Sequence, residues 1–272
     1  MLRRLFDLLF YGHVWIALAA AALGWQTTVL TGLGTAVHRV HVFLFYATLG
    51  VYTLHRWLTF RRAGGRSEFV RYQLVATHPK GSLLVGFLSI TLSSYLLVRL
   101  PGAVWLPLLY ALPFTAFYLI PLWPGGPRLR DLPYLKTLWV ATAWTLMTVN
   151  VPLAAVGEPL DWAEFISRFC LTGAVALTFD LRDVELDRRQ GVRTLAADHP
   201  SLNRSLTIGF CCLAAVVAFF LHDWPYHVSL VVAYFFIGHV LAYEGQRTED
   251  DFASMVNGTL LLAPFFVFLT SL

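Results

Sequence analysis

Three aspartates near position 180 have the spacing of a chemical site. In Thr178-Phe179-Asp180-Leu181-Arg182-Asp183-Val184-Glu185-Leu186-Asp187-Arg188-Arg189, residues Asp180, Asp183 and Asp187 fall at i, i+3 and i+7, which is one stripe of a helix. Arg182, Glu185 and Arg189 repeat that spacing two residues on, about 200° around a helix of 3.6 residues per turn. The two arginines then pair with Glu185 on their own face. The opposite face keeps three carboxylates with no counter-ion from that set, and Asp183 repels Asp187 at i, i+4. Such a face calls for an external cation. Hard oxygen ligands suit Mg²⁺, which typically takes one or two protein carboxylates together with substrate phosphates. The plain alternative is a solvated loop helix of mixed charge.

The elements that must position this stripe are membrane spans. Of the 272 residues, 57% are hydrophobic and 13% charged, against about 25% charged in a soluble domain. That deficit excludes a water-soluble globule, a disordered chain and a collagen-like fibre. A span needs about 20 mostly apolar residues. Nine such stretches lie near 10–32, 39–60, 81–99, 102–121, 133–156, 162–182, 204–222, 226–244 and 253–271. They fill nearly the whole chain, so residues 1–272 read as one polytopic membrane domain. The early stretch follows Arg3 and Arg4 but is interrupted by Asp7, Tyr11, Gly12 and His13, so it reads as a retained first span rather than a cleaved signal peptide.

The connections segregate by charge. Seventeen of the 20 Lys and Arg residues fall in one alternate set, including Arg61, Arg62, Arg66 and Arg71 after span two and Arg188, Arg189 and Arg193 after span six. The other set holds Arg39, Arg99 and Arg168. The positive-inside rule places the N-terminus and the basic set in the cytoplasm, and nine spans then place the C-terminus outside. The same asymmetry accounts for the positive net charge of +4 without a nucleic-acid partner. Short outer links such as Leu100-Pro101-Gly102 make antiparallel neighbours in a helical bundle. Cys170, Cys211 and Cys212 form no CxxC pair and lie in apolar runs, so neither a disulfide framework nor a zinc site is indicated.

Other residues have mainly structural readings. Asp131 is placed to cap span five, with Pro133 in the first turn. Pro152 frees a backbone carbonyl, and Asn150 beside it is placed to bond across helices. Trp15, Trp25, Trp139 and Trp144 could line an apolar cavity, though packing or interface anchoring is the commoner use of a tryptophan. Glu249-Asp250-Asp251 reads as solvated loop, and Asn257-Gly258 as a close-packing point. His38 and His41 fall near the outer face, away from the aspartates. A small transporter fits poorly, because the span interiors hold few ionisable residues.

Nine spans, with Asp180-x-x-Asp183-x-x-x-Asp187 after the sixth and Gly191-x-Arg193-Thr194-Leu195 following, resemble the UbiA prenyltransferase superfamily. The topology matches over nearly the full chain, the sequence only over about residues 178–196. The resemblance implies an all-α, nine-helix bundle whose central cavity opens to the cytoplasmic side. It implies two facing aspartate motifs holding Mg²⁺ and a prenyl diphosphate, whose prenyl group passes to a lipophilic acceptor such as an aromatic ring. Asp180, Asp183 and Asp187 then become the catalytic metal ligands. The chain departs from the family where the first motif, NDxxDxxxD, belongs. Tyr52, His55 and Thr59 keep the 3-then-4 spacing there without a carboxylate. His55 and Arg56 could contact phosphate directly as donors; the alternative for His55 is a helix-end histidine bonded to a neighbouring backbone or Asp. Tyr134 and Lys136 match loosely a Tyr-x-x-Lys element of the family, which puts Lys136 and Arg130, with Arg193, among the diphosphate contacts. A non-catalytic descendant that binds a polyprenyl lipid or scaffolds a membrane partner is the second reading.

Overall fold

A chain this apolar must satisfy its backbone internally, because lipid offers N–H and C=O groups nothing to bond. In the computed structural model every regular element among the described residues is helical. The structure describes residues 2–271 except 33, 63, 66–68, 222–223, 243–244 and 246, so Arg66 of the basic connection lies outside it. Nine helical segments of 15 residues or more follow one another among the described residues. They are α1 (Val14–Leu30), α2 (Arg39–Arg62), α3 (Pro79–Leu97), α4 (Trp105–Leu119), α5 (Lys136–Val156), α6 (Trp162–Arg189), α7 (Pro200–Leu221), α8 (Trp224–Ala242) and α9 (Asn257–Ser271).

Five segments are long and apolar enough to cross a membrane: α3, Gly102–Leu119 containing α4, α5, Pro200–Phe220 in α7, and Glu249–Leu269 leading into α9. Leu2–Tyr11 and α1 make a sixth if counted as one broken span. The protein is a multi-pass membrane protein. Consecutive helices pack as neighbours from α1 to α3 and from α4 to α9, and α9 returns to pack against α1. Outward faces carry Leu84, Phe87, Leu106, Leu109, Phe219 and Phe220, all exposed to what is lipid in a membrane. Inward faces carry small residues: Ala17, Ala19, Ala174, Ala218, Ala233 and Ala263 are fully buried. Small side chains let helix backbones approach where no hydrophobic force drives them together. Between α2 and α3 the approach requires glycine. A Cβ on Gly50 would stand 2.8 Å from Ile90, and one on Gly86 2.6 Å from Leu54.

Four expectations change. The first span is not continuous from residue 10, because the chain bends by 52° between Tyr11 and Val14. His13 there is left-handed, with φ +64°, a conformation a helix cannot continue through. Span five begins at Lys136 rather than 133, because Tyr134 is also left-handed at φ +63°. Asp131 does not cap that helix. It closes the short turn Leu129–Asp131, accepting from the Arg128 backbone N–H at 2.9 Å and from its guanidinium at 2.7 Å. Finally, the cross-helix bond at Pro152 comes from another residue. The carbonyl that Pro152 cannot serve belongs to Thr148, and Thr27 of α1 donates its hydroxyl to it at 2.9 Å. Asn150 Oδ1 is buried without a hydrogen-bond partner among the described residues.

Helix α6 carries a charge cluster at each end. Asp161 caps it, accepting from the backbone N–H groups of Ala163 and Glu164 at 2.8 and 3.1 Å. One turn in, Arg168 pairs with Glu164 and donates to Gln26 at 3.2 Å and Thr27 at 3.3 Å. Arg168 is fully buried, so it belongs to the bundle interior and not to an outer connection. Twelve residues further on, the same helix presents the aspartate stripe.

Candidate functional site

The last turns of α6 turn Asp180 and Asp187 inward, where both are buried. Neither they nor Asp183 is bare. Lys136, the first residue of α5, donates from Nζ to Asp187 Oδ2 at 2.6 Å and lies 2.8 Å from Asp180 Oδ1. Thr137 Oγ1 donates to Asp180 Oδ2 at 2.9 Å. Arg130 Nη2 donates to Gln190 Oε1 at 3.1 Å and reaches Asp187 Oδ1 at 3.4 Å. Asp183 accepts from Arg71 Nη1 at 2.5 Å and from Arg182 Nε at 2.8 Å.

Arg71, absent from the sequence-predicted set, ties this cluster together. It lies in the turn Val70–Tyr72 and is 3% exposed. One side of its guanidinium serves Asp183. The other donates to Glu249 Oε1 at 2.8 Å, and its backbone N–H donates to Glu249 Oε2 at 3.0 Å. Burial works against the charge of Arg71, but Asp183 and Glu249 beside it hold its pKa above the ordinary value. Glu249 is therefore not solvated loop. Nor are its neighbours: Asp250 accepts from Arg3 and from Tyr11, and Asp251 forms a capping box with Thr248.

The bare acidic face read from the stripe is thus corrected. Arg182 turns to Asp183, and only Arg189 pairs with Glu185, at 2.8 Å. The remaining cations arrive from segments the helical pattern could not register. Lys136, Arg130, Arg71 and Arg182 stand against Asp180, Asp183, Asp187 and Glu249, so the formal charge of the cluster closes to zero. The Lys136 ammonium occupies the place between Asp180 and Asp187 that a cation held by this stripe would take. Tyr52, His55 and Thr59 of α2 add no carboxylate. No group of three His, Cys, Asp or Glu side chains among the described residues is arranged around a common metal position. As arranged, these residues do not fit a Mg²⁺ ion.

Two cavities meet beside the cluster. The first, about 210 Å³, lies between α2, α4 and α5 and is walled by Val51, Phe114, Tyr118, Trp139, Met147 and other mostly apolar residues, with His55 among them. The second, about 140 Å³, reaches α6 and α9 and is lined by His13, Arg56, Arg71, Arg182 and Asn257. Tyr52, Val140 and Trp144 line both. Trp144 Nε1 donates to the Tyr52 hydroxyl at 3.0 Å, so a hydrogen-bonded aromatic pair forms the partition. His55 and Arg56, adjacent in sequence, line different cavities. His55 sits edge-on to Tyr118 with ring centroids 6.0 Å apart, on the apolar side. Arg56 lies 5.1 Å over the Tyr72 ring and makes no ion pair among the described residues.

Other predicted residues fall elsewhere. Arg193 is exposed and bonded to Asp198 at 2.9 Å and to Tyr134, so it lines neither cavity. Of the four tryptophans, Trp139 and Trp144 line the apolar cavity, while Trp15 and Trp25 line an open groove between α1 and α9. Asn257 bonds its own helix at Ala253 and borders the basic cavity, and a Cβ on Gly258 would meet nothing within 4 Å, so this pair is no close-packing point. His41 contacts Thr28 at 3.3 Å, away from the aspartates as expected.

No family model matches the chain, and no curated protein matches it in sequence. Solved structures do match. A UbiA homologue from Aeropyrum pernix K1 shares the fold with TM-score 0.69 at 11% identity, over 95% of this chain and 99% of its own. A UbiA homologue from Archaeoglobus fulgidus, bound to GPP and Mg²⁺, matches with TM-score 0.63 at 14% identity, over 95% of this chain and 98% of its own. A digeranylgeranylglyceryl phosphate synthase structure matches with TM-score 0.55 at 12% identity, over 98% of each chain. The resemblance read in the aspartate motif and the spans holds at the level of the whole architecture: the chain is a membrane protein with the UbiA fold.

Proposed function

We propose that the chain binds a prenyl diphosphate and transfers its prenyl group to a lipophilic, aromatic acceptor within the membrane. The observation that carries this reading is the pairing of an aromatic-walled cavity with a basic one across the Tyr52–Trp144 partition. An amphiphile with an anionic head and an unsaturated tail is the complementary shape and charge. The UbiA homologue bound to GPP supports the same ligand class.

In this reading the tail lies against Trp139, Trp144, Phe114 and Tyr118. The allylic C–O bond breaks with its electron pair leaving on the diphosphate. Arg56, Arg71 and Arg182 receive that charge as bidentate donors. The faces of Trp144 and Tyr52 stabilise the allylic cation by cation–π attraction. The acceptor ring then forms the new C–C bond and loses its proton to the departing diphosphate. Asp180, Asp183 and Asp187 act as positioning residues that hold Lys136, Arg130, Arg71 and Arg182 in place, and His55 closes the apolar cavity at its head end. No step is assigned to Mg²⁺.

The topology completes the proposal: nine spans, N-terminus and the aspartate cluster cytoplasmic, C-terminus outside. Reporter fusions at Gly64, Gly125, Gly191 and Leu272 should read in, in, in and out; a cytoplasmic Leu272 would refute the count. The function is tested by thermal unfolding of the purified chain with geranyl diphosphate, because a ligand bound to the native state must stabilise it. Turnover against a panel of aromatic acceptors separates transferase from binder. Stabilisation without any transfer would move the assignment to the non-catalytic reading.

A further inference from the structure

The cations of this site are built in. Resting on the prenyl diphosphate reading above, we propose that the chain binds its anionic amphiphile without a divalent ion. The Lys136 ammonium fills the seat between Asp180 and Asp187, and Arg56, with Arg71 and Arg182, meets the headgroup.

Three observations carry this. Each carboxylate of the stripe already has a cation: Lys136 for Asp180 and Asp187 at 2.8 and 2.6 Å, and Arg71 for Asp183 at 2.5 Å. A metal would have to displace a buried ammonium from two charge-assisted contacts and leave it stranded, and a stranded buried charge is strongly unfavourable. Second, the basic cavity is not balanced. Arg56, Arg71 and Arg182 line it, while Asp183 and Glu249 are the carboxylates paired there, so one positive charge remains, on Arg56. Third, His13 lines the same cavity, is 4% exposed, and leaves its Nε2 without a hydrogen-bond partner among the described residues. A buried polar atom without a partner calls for one. A net positive cavity with a spare imidazole nitrogen suits a phosphate-type head by itself, whereas the Mg²⁺–diphosphate pair needs carboxylates free to take the metal.

The test uses the full chain in detergent or nanodiscs, with two independent readouts. In the first, geranyl diphosphate is titrated in EDTA and again in millimolar Mg²⁺, and the melting temperature is followed. The affinities should agree within about twofold, because the donors are the same guanidinium groups in both. A tenfold or larger gain from Mg²⁺ would overturn the inference and leave the ligand assignment standing. In the second, Mn²⁺ alone is titrated and followed by electron paramagnetic resonance. The parent should not bind it. Lys136→Met, which uncovers Asp180 and Asp187, should acquire Mn²⁺ binding, and adding Asp180→Asn should remove it. Stoichiometric Mn²⁺ binding by the parent, lost in Asp183→Asn, would overturn the inference. If Lys136→Met does not fold, the parent's Mn²⁺ titration decides. If geranyl diphosphate binds in neither buffer, the ligand assignment and the headgroup half of the inference both fall, and the Mn²⁺ titration still judges the lysine-filled seat.

Discussion

The two ends of α6 solve the same problem in opposite ways. At the N-terminal end, Glu164 and Arg168 are almost wholly enclosed by Gln26, Thr27 and apolar neighbours. At the C-terminal end, Arg71 and Arg182 of a larger charge cluster line a cavity together with Arg56. A sealed pair serves architecture alone, because nothing can reach it. A cluster two of whose arginines line a cavity, with a third arginine there left over, is arranged to receive a charged ligand. The comparison predicts that stability and binding will separate along a single helix.

The largest effect should come from the sealed end. Arg168→Met leaves Glu164 charged and buried, and breaking one partner of a buried pair typically costs about 3–5 kcal/mol. Thermal unfolding should show that loss, and adding Glu164→Gln should restore much of it. The extra stability conferred by geranyl diphosphate should stay the same in every variant that folds. Loss of ligand stabilisation in the folded double variant would tie the two ends together and break the comparison.

Arg71→Gln should show both effects at once. It removes charged hydrogen bonds to Asp183 and Glu249 and one wall of the basic cavity. Because Asp183 keeps Arg182 and Glu249 keeps the backbone N–H of residue 71, the net loss should be about 1.5–3 kcal/mol, the scale of one charge-assisted contact. We expect a smaller drop in unfolding free energy than for Arg168→Met, with ligand stabilisation largely lost. Arg56→Gln should separate the two at the other extreme. Its guanidinium rests on Tyr72 without an ion pair among the described residues, so stability should change by no more than about 0.5–1 kcal/mol, the scale of a partly exposed cation–π contact. Affinity for geranyl diphosphate should fall about tenfold, equivalent to about 1.4 kcal/mol. Unchanged affinity in Arg56→Gln would remove Arg56 from the headgroup site.

Much of the fold was legible in the sequence because hydropathy reports burial in lipid directly. Each of the nine apolar stretches corresponds to a long helical segment among the described residues, with boundaries moved by a few positions. Two of the moved boundaries are set by single left-handed residues, His13 and Tyr134, which hydropathy does not register. The aspartate stripe was legible because its period belongs to one helix. Its partners were not. Asp183 meets Arg71 across 112 residues, and Asp187 meets Lys136 across 51. Arg71 was also hidden among the basic residues of one connection, which the positive-inside rule alone accounts for. Glu249 carried a weaker signal that could have been used: an acidic run at the start of the last span, on the same side of the membrane as a surplus of arginine.

An exposed ion pair gives the comparison its lower limit. Arg193 and Asp198 lie at the surface near the start of α7, with Tyr134 bonded to both. The Tyr134 hydroxyl, and after it Arg193, hold the Asp198 carboxyl below its ordinary pKa. A carboxyl depressed in the folded state adds stability above its unfolded value, near about 3.9, and loses it as pH falls through the folded value. Between pH 5 and 8, roughly the range of maximal protein stability, this contribution is constant. Asp198→Asn should therefore lower the melting temperature only slightly there, by less than Arg56→Gln or within the same error, because solvent screens the pair. Below about pH 4, where the parent loses the contribution by protonation, the two curves should converge. Added salt should shrink the gap at neutral pH, while the deficits of Arg168→Met and Arg71→Gln should persist, since buried pairs are screened far less. A salt-insensitive Asp198→Asn deficit as large as that of Arg71→Gln would place this pair inside the functional cluster, where the sequence motif first put Arg193.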